Sequence, residues 1–334
     1  MKKRKLIFNV AAQSGGAATV LNYYYEKAKK DRSTEYTFIL GSISLNEASN
    51  IKVINYPWIK KSWVHRIFFD LFISRIIYKK ENPDEVISLQ NLRVLGINKK
   101  QTILIQNVLP FSDKKYKIYE DKKIWVYQNI MSKLIIKSLL SKDLIIVQNN
   151  WMKNRLADKY KINFNKIFVD KIDYKEAINI QSQLKKSSGN KIFFYPSSGL
   201  IYKNHSIIVK VCKILKENKI KNFEVIFTLT GNDNKHIKKL KKIIDREKLP
   251  IKFVGYLNKE DLNFYYKNST LLFPSFIETI GLPLIECQHH ASPIICSNYE
   301  YAKEVTNNYK YVKYFDPNDE KELYKLLKHE LTNN

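Results

Sequence analysis

A chain of 334 residues is comfortable for two domains, and an apolar fraction of 44% with 13% aromatics suits packed cores rather than disorder. Its three cysteines, Cys212, Cys287 and Cys296, have no CxxC spacing, which argues against a disulfide framework or structural zinc and fits a reducing cytoplasm. The net charge of +26 leaves three explanations: nucleic acid, an anionic membrane, or a solvated lysine-rich composition with no specific partner.

The charge is uneven. Residues 1–180 hold 33 Lys and Arg against 16 Asp and Glu, a net of +17, so the first half carries most of the excess. An anionic surface facing that half is favoured by roughly 1 kcal/mol per nearby cation. The N-terminus MKKRKLIFNVAAQSGG passes from a basic start into a short β-like run ending at glycines, which predicts a first strand at 5–10 and not a signal peptide. Further strands are predicted at 36–40, 52–55, 85–89, 102–106, 144–148 and 166–169, with helices near 17–30, 62–80, 123–141 and 150–160. In the helix at 62–80, Ser62, Arg66, Asp70 and Ser74 form a polar stripe. The stripe leaves an apolar face with Trp63, Phe68, Phe69, Phe72 and Ile76, flanked by Lys60, Lys61, Lys79 and Lys80. Such a helix suits a bilayer surface, and equally the core of the first domain.

The polar segment 173–190, DYKEAINIQSQLKKSSGN, interrupts the alternation and reads as a linker. Strands then resume in KIFFYP, EVIFTLTG, IKFVGY, TLLFPS and PIICS, between helices at 204–217, 236–247, 259–266 and 281–289. The expected class is α/β: two Rossmann-like, doubly wound parallel-sheet domains, 1–172 and 191–334, facing a cleft. Ligands are expected outside the carboxyl ends of the strands. No run approaches the ~18–20 apolar residues of a membrane-spanning helix.

The most informative stretch is FPSFIETIGLPLIEC, from Phe273 to Cys287. A strand ends in Pro-Ser, Glu278 follows, Gly281, Leu282 and Pro283 open a helix, and Glu286 lies in its first turns. A glycine at a helix start lets an anion such as a diphosphate approach backbone N–H groups, and two carboxylates can accept hydrogen bonds from sugar hydroxyls beside it. A capped helix with an incidental acidic pair has the same pattern.

This stretch resembles the E-x7-E signature of glycosyltransferase family 4 and its retaining GT-B relatives, with Glu278 and Glu286 in the glutamate positions. FFYPSSGLIYKNHSIIVKVC resembles the opening of the family's donor domain and SGGAATVL its glycine-rich turn. FVGYLNKEDLNFYYKNSTLLFPS resembles the strand-helix-strand before the motif, SPIICSNYEYAKEV the strand and turn after it, and YFDPNDEKEL a late Asp-Pro segment before a helix. The resemblance implies an N-terminal acceptor domain and a C-terminal nucleotide-sugar domain. Glu286 would hold the ribose hydroxyls, and the backbone at Gly281 and Leu282, with Thr279 and Ile280 beside them, would meet the phosphates. Glu278 would contact the transferred sugar, and Lys203 would neutralise the diphosphate as it leaves. Ser198, Tyr256, Gly15 and Gly16 complete the implied donor site, and Asn107 stands near the position from which relatives contact the reacting sugar. Ser198 occupies a place where relatives often carry arginine, Thr279 and Ala291 places where glycine is common.

The implied activity is retaining transfer of a hexose from a nucleotide sugar to a lipid-linked saccharide in bacterial surface polysaccharide (lipopolysaccharide or capsule) synthesis. The enzyme would be cytoplasmic and peripheral at the inner face of the plasma membrane. No Asp-x-Asp triplet occurs, so no metal and no cofactor are expected beyond the nucleotide sugar itself. A sugar-nucleotide epimerase of the same fold is the alternative. A nucleic-acid partner is not expected, because no binding motif accompanies the dispersed basic residues.

Overall fold

The computed structural model describes residues 2–12, 16–170 and 191–332; Gly15 and the segment 173–190 lie outside the described residues. The chain divides into two compact units, Met1–Asp173 and Tyr174–Asn334. The first is built on β1 (Lys3–Asn9), β2 (Thr34–Leu40), β3 (Ile51–Asn55), β4 (Glu85–Ser88), β5 (Gln101–Leu104), β6 (Leu144–Val147) and β7 (Ile167–Val169). These pair in parallel in the order β3-β2-β1-β4-β5-β6-β7. The second unit contains β8 (Lys191–Tyr195), β9 (Phe223–Phe227), β10 (Ile251–Phe253), β11 (Thr270–Phe273), β12 (Ile294–Ser297) and β13 (Val312–Phe315). Its order is β10-β9-β8-β11-β12-β13, again all parallel.

Central strands are apolar without alternation because helices cover both faces of a parallel sheet. In β1, Leu6, Ile7 and Phe8 are all buried, and in β8 so are Phe193, Phe194 and Tyr195. The Tyr195 ring packs edge-on against Phe227 of β9 and Phe273 of β11, tying three neighbouring strands. Both sheets start in the middle, run outward to one edge and then reverse. The reversal falls between β1 and β4 in one and between β8 and β11 in the other, and such a reversal opens a crevice at the carboxyl ends of the two strands.

The strands expected from the sequence are present, with ends shifted by up to four residues. Besides short 3₁₀ turns, edge strand β13 and the helix Glu300–Val305, which replaces a simple turn, were not expected. Two expected helices also differ internally. The helix at 62–80 runs as Trp63–Phe68, a π-helical turn Phe69–Ile73, and Ser74–Glu81; that at 123–141 runs as Lys122–Val126, a π turn Tyr127–Met131, and Ser132–Leu139. A serine accounts for both. The Ser74 N–H reaches back five residues to the Phe69 carbonyl, and its hydroxyl donates to the Asp70 carbonyl at 2.8 Å. Ser132 does the same, its N–H on Tyr127 and its hydroxyl on the Gln128 carbonyl at 2.5 Å. A side-chain donor thus serves the carbonyl that a wider turn would leave without its helical partner.

Candidate active site

The crevice of the second sheet is bordered by the segments that leave β8 and β11. After β8 the chain passes Pro196 to Leu200, makes a single 3₁₀ turn Ile201–Lys203, and enters the helix His205–Glu217 through Asn204 in the left-handed conformation (φ 59°, ψ 37°). After β11 it passes Pro274, Ser275 and Glu278 to Gly281, where the helix Leu282–His289 begins. The two segments are laced together. The Phe276 N–H donates to the Tyr202 carbonyl at 2.9 Å, and the Asn204 carboxamide donates to the carbonyls of Pro274 and Pro317.

This lacing brings Lys203 and Glu278 into an ion pair at 2.5 Å, with side chains only 14% and 13% exposed. A buried hydroxyl network lies beneath it. Tyr195 donates to the Lys203 carbonyl and shares a hydrogen bond with Ser275, whose carbonyl accepts from both Ser297 and Tyr301. Burial, followed by the negative charge of Glu278, holds the Tyr195, Tyr202 and Tyr301 hydroxyls well above their usual pKa, so all three remain protonated. His205 is fully buried with Nε2 2.9 Å from the Ser197 hydroxyl. Burial, aided by the nearby charges of His236 and Lys203, depresses its pKa to about 3, so the imidazole is neutral.

Glu286 is held separately. It lies on the helix Leu282–His289 and accepts a hydrogen bond from the Tyr266 hydroxyl on the helix Lys259–Asn268. Burial raises the Glu286 carboxyl above the usual carboxylate range, while the tyrosine bond opposes that rise. Tyr266 is itself fixed, stacked on His290 and edge-on to Phe194 of β8. Gly281 has φ +76°, and a Cβ there would approach Leu284 Cδ1 to 3.1 Å and Phe273 Cε1 to 3.4 Å. Conformation and contact therefore both select glycine at this helix start.

Of the residues singled out from the sequence, the structure joins Lys203 directly to Glu278, with Thr279, Ile280, Gly281 and Leu282 on the segment continuing to Glu286. Ser198 is exposed in the segment after β8, and Tyr256 is almost fully exposed beyond the edge strand β10; among the described residues no contact joins either to the ion pair. In the first unit, Gly16 begins the helix Gly16–Lys30 with open space around it. Asn107 uses its oxygen to accept the Leu109 N–H at 2.9 Å, and its side chain also hydrogen-bonds the Tyr127 hydroxyl. Sequence reasoning did not find Tyr266, Tyr195, Ser275 or the His205–Ser197 pair. Their partners lie 8 to 80 residues away, and tyrosines as frequent as 22 in this chain carry no signal one by one.

Residues 176–334 match the family described as glycosyl transferases group 1. The match falls on the second unit, just under half of the chain, which is similar to a group 1 glycosyl transferase domain. Its curated relatives include the O-antigen chain mannosyltransferase B of Escherichia coli, 39% identical over 21% of this chain and 18% of that protein. The capsular polysaccharide biosynthesis glycosyltransferase CapH of Staphylococcus aureus is 29% identical over 56% of this chain and 51% of its own length. The chain thus spans about half or less of these two relatives. Among solved structures, Alr3699/HepE from Anabaena, in complex with UDP and glucose, superposes with a TM-score of 0.67 at 12% identity, covering 99% of this chain and 90% of that one. That likeness gives the fold: two parallel-sheet α/β units of the GT-B type.

Proposed function

We propose that the chain is a retaining, metal-independent hexosyltransferase that takes its donor as a nucleoside diphosphate sugar in the second unit and transfers the hexose to a lipid-linked saccharide during O-antigen or capsule synthesis. The observation that carries this reading is the Lys203–Glu278 pair at the strand-order reversal, on segments laced together by backbone and carboxamide hydrogen bonds. Without donor, each charge satisfies the other. With donor, Lys203 turns to the diphosphate, whose negative charge grows as the anomeric bond breaks, and Glu278 turns to the sugar hydroxyls. A cation whose interaction strengthens in the transition state raises turnover rather than ground-state affinity.

Glu286 then holds the ribose hydroxyls, with Tyr266 fixing its carboxyl, and Gly281 leaves the helix start open to the phosphates. In a retaining reaction the leaving phosphate takes the acceptor's proton on the face from which it departs, which removes the need for a protein base opposite the donor. The names of relatives support the acceptor class, and the UDP and glucose bound by Alr3699/HepE support the donor class. The chain is read as cytoplasmic, working at the inner face of the plasma membrane. The test is a mass-spectrometric screen of nucleotide sugars with and without membrane extract. One donor is expected to be consumed, with its hexose appearing on an extract lipid; consumption of none refutes the reading, and isomerisation without transfer makes the chain an epimerase.

A further inference from the structure

The helical stretch from Trp63 to Glu81 has apolar side chains on two sides, one packed on its own unit and one left exposed. The side it presents to its own unit carries Phe69 and Ile77, but also the fully buried Ser74 and an Arg66–Asp70 ion pair at 2.7 Å. The opposite side carries Val64, Ile67, Phe68, Leu71, Phe72 and Ile76, each between 47% and 74% exposed. These fall at helical spacing and make a continuous stripe, with the rings of Phe68 and Phe72 5.3 Å apart. The sequence expectation of one polar stripe and one apolar face holds only in part: Arg66, Asp70 and Ser74 turn inward while Ser62 is exposed, and of the expected apolar face Phe69 is buried whereas Phe68, Phe72 and Ile76 are exposed. Single exposed apolar side chains need no explanation; a stripe of this length on one helix marks a surface that is covered in use.

The charges around the stripe select the cover. Lys61, Arg75, Lys79 and Lys80 are exposed along its length and at its ends. The two carboxylates of the stretch, Asp70 and Glu81, are already paired with Arg66 and Lys52. The surface is therefore apolar with a cationic border, on the half of a chain that holds most of a +26 net charge. A second copy of this chain would bring like charge against like, whereas an anionic bilayer offers hydrocarbon to the stripe and headgroup phosphates to the border.

We propose that this face is where the chain lies on an anionic phospholipid bilayer, the helix in the plane of the headgroups with Phe68 and Phe72 inserted. The proposal deepens the reading of a lipid-linked acceptor by naming the surface that meets the lipid. Vesicle binding requires neither sugar, so the two readings fail separately.

The experiment is co-sedimentation of the full chain with vesicles of phosphatidylglycerol and phosphatidylethanolamine, and with vesicles of phosphatidylcholine alone. Binding to the anionic vesicles is expected, with little to phosphatidylcholine. Phe68→Ser/Phe72→Ser should lower the partition coefficient about tenfold or more while circular dichroism and thermal unfolding stay unchanged, since both rings are already exposed. Lys79→Glu/Lys80→Glu should lower it to a similar extent and flatten its salt dependence. Phe264→Ser, at an exposed phenylalanine of the second unit, should bind as the parent does. Absence of binding to anionic vesicles, or parental binding by the double serine variant, overturns the proposal. So does a dimer seen by sedimentation velocity that the double serine variant abolishes while vesicle binding is absent, which would assign the face to a second copy.

Discussion

Replacing Lys203 with alanine separates what the ion pair does for the fold from what it does for the reaction. The variant leaves Glu278 only 13% exposed and without its cation. Breaking a buried pair costs about 3–5 kcal/mol, and the residual exposure here reduces that to about 1–2 kcal/mol. For a domain of this size the corresponding loss in Tm is ~2–8 °C. Adding Glu278→Gln removes the stranded charge, so the double variant should recover most of that loss. Turnover should behave differently. Losing one cation aimed at the departing diphosphate is expected to lower kcat by about 10²–10³, with a smaller change in KM, and the double variant should recover none of it. The assays are thermal unfolding and steady-state kinetics on the parent, both single variants and the double. Parental kcat in Lys203→Ala refutes the assignment, and so does recovery of turnover together with stability, because a lysine that only neutralises Glu278 is dispensable once the glutamate is neutral.

Tyr266→Phe should weaken binding of the free nucleoside diphosphate roughly tenfold by freeing the Glu286 carboxyl, while Glu286→Ala weakens it further; unchanged affinity in titration calorimetry removes both from the ribose site. Gly281→Ala should destabilise the second unit by about 1–2 kcal/mol, since the left-handed backbone and the Leu284 contact both resist a methyl group, and denaturant unfolding reads this directly. His205 is neutral when folded because its pKa falls from 6.5 to about 3. The unfolded chain binds the extra proton, so the stability His205 supports is present above pH 6.5 and is lost as pH falls from there toward about 3. His205→Gln should make the unfolding free energy less steep in pH by up to ~1.4 kcal/mol per unit in that window, and an unaltered slope refutes it. Full activity is expected in excess EDTA, and dependence on added magnesium or manganese would reverse the metal-free reading.

Strands and helices were legible because the central strands contain short apolar runs and most helices have an apolar stripe. The edge strand β13 was not, since VKYF at a sheet margin is only partly buried and carries a charge. The side presented by the helix Trp63–Glu81 was also out of reach. Periodicity gives the existence of polar and apolar stripes, but only the burial of Phe69, Ser74 and Ile77 beside the Arg66–Asp70 pair decides which side turns inward. In the candidate site, Gly281 and the two glutamates could be read because backbone requirements and helix starts are local. The Lys203–Glu278 contact spans 75 residues and depends on β8 lying beside β11, which no local pattern encodes.

The central position of β8 sets an order of events during synthesis. Its neighbours are β9 and, from much later in the chain, β11, so the second sheet cannot reach its final strand order until residues 270–273 have left the ribosome. Lys203 is made 75 residues before its partner Glu278, and until then its loop lacks both the Phe276 amide and the Pro274 carbonyl that anchor it. Parallel pairing between distant segments is intrinsically slow and leaves strand edges exposed meanwhile. A nascent chain arrested before β11 would therefore present β8 with one bare edge, making it a substrate for chaperones, while the first unit, whose seventh strand ends at Val169, would already be complete.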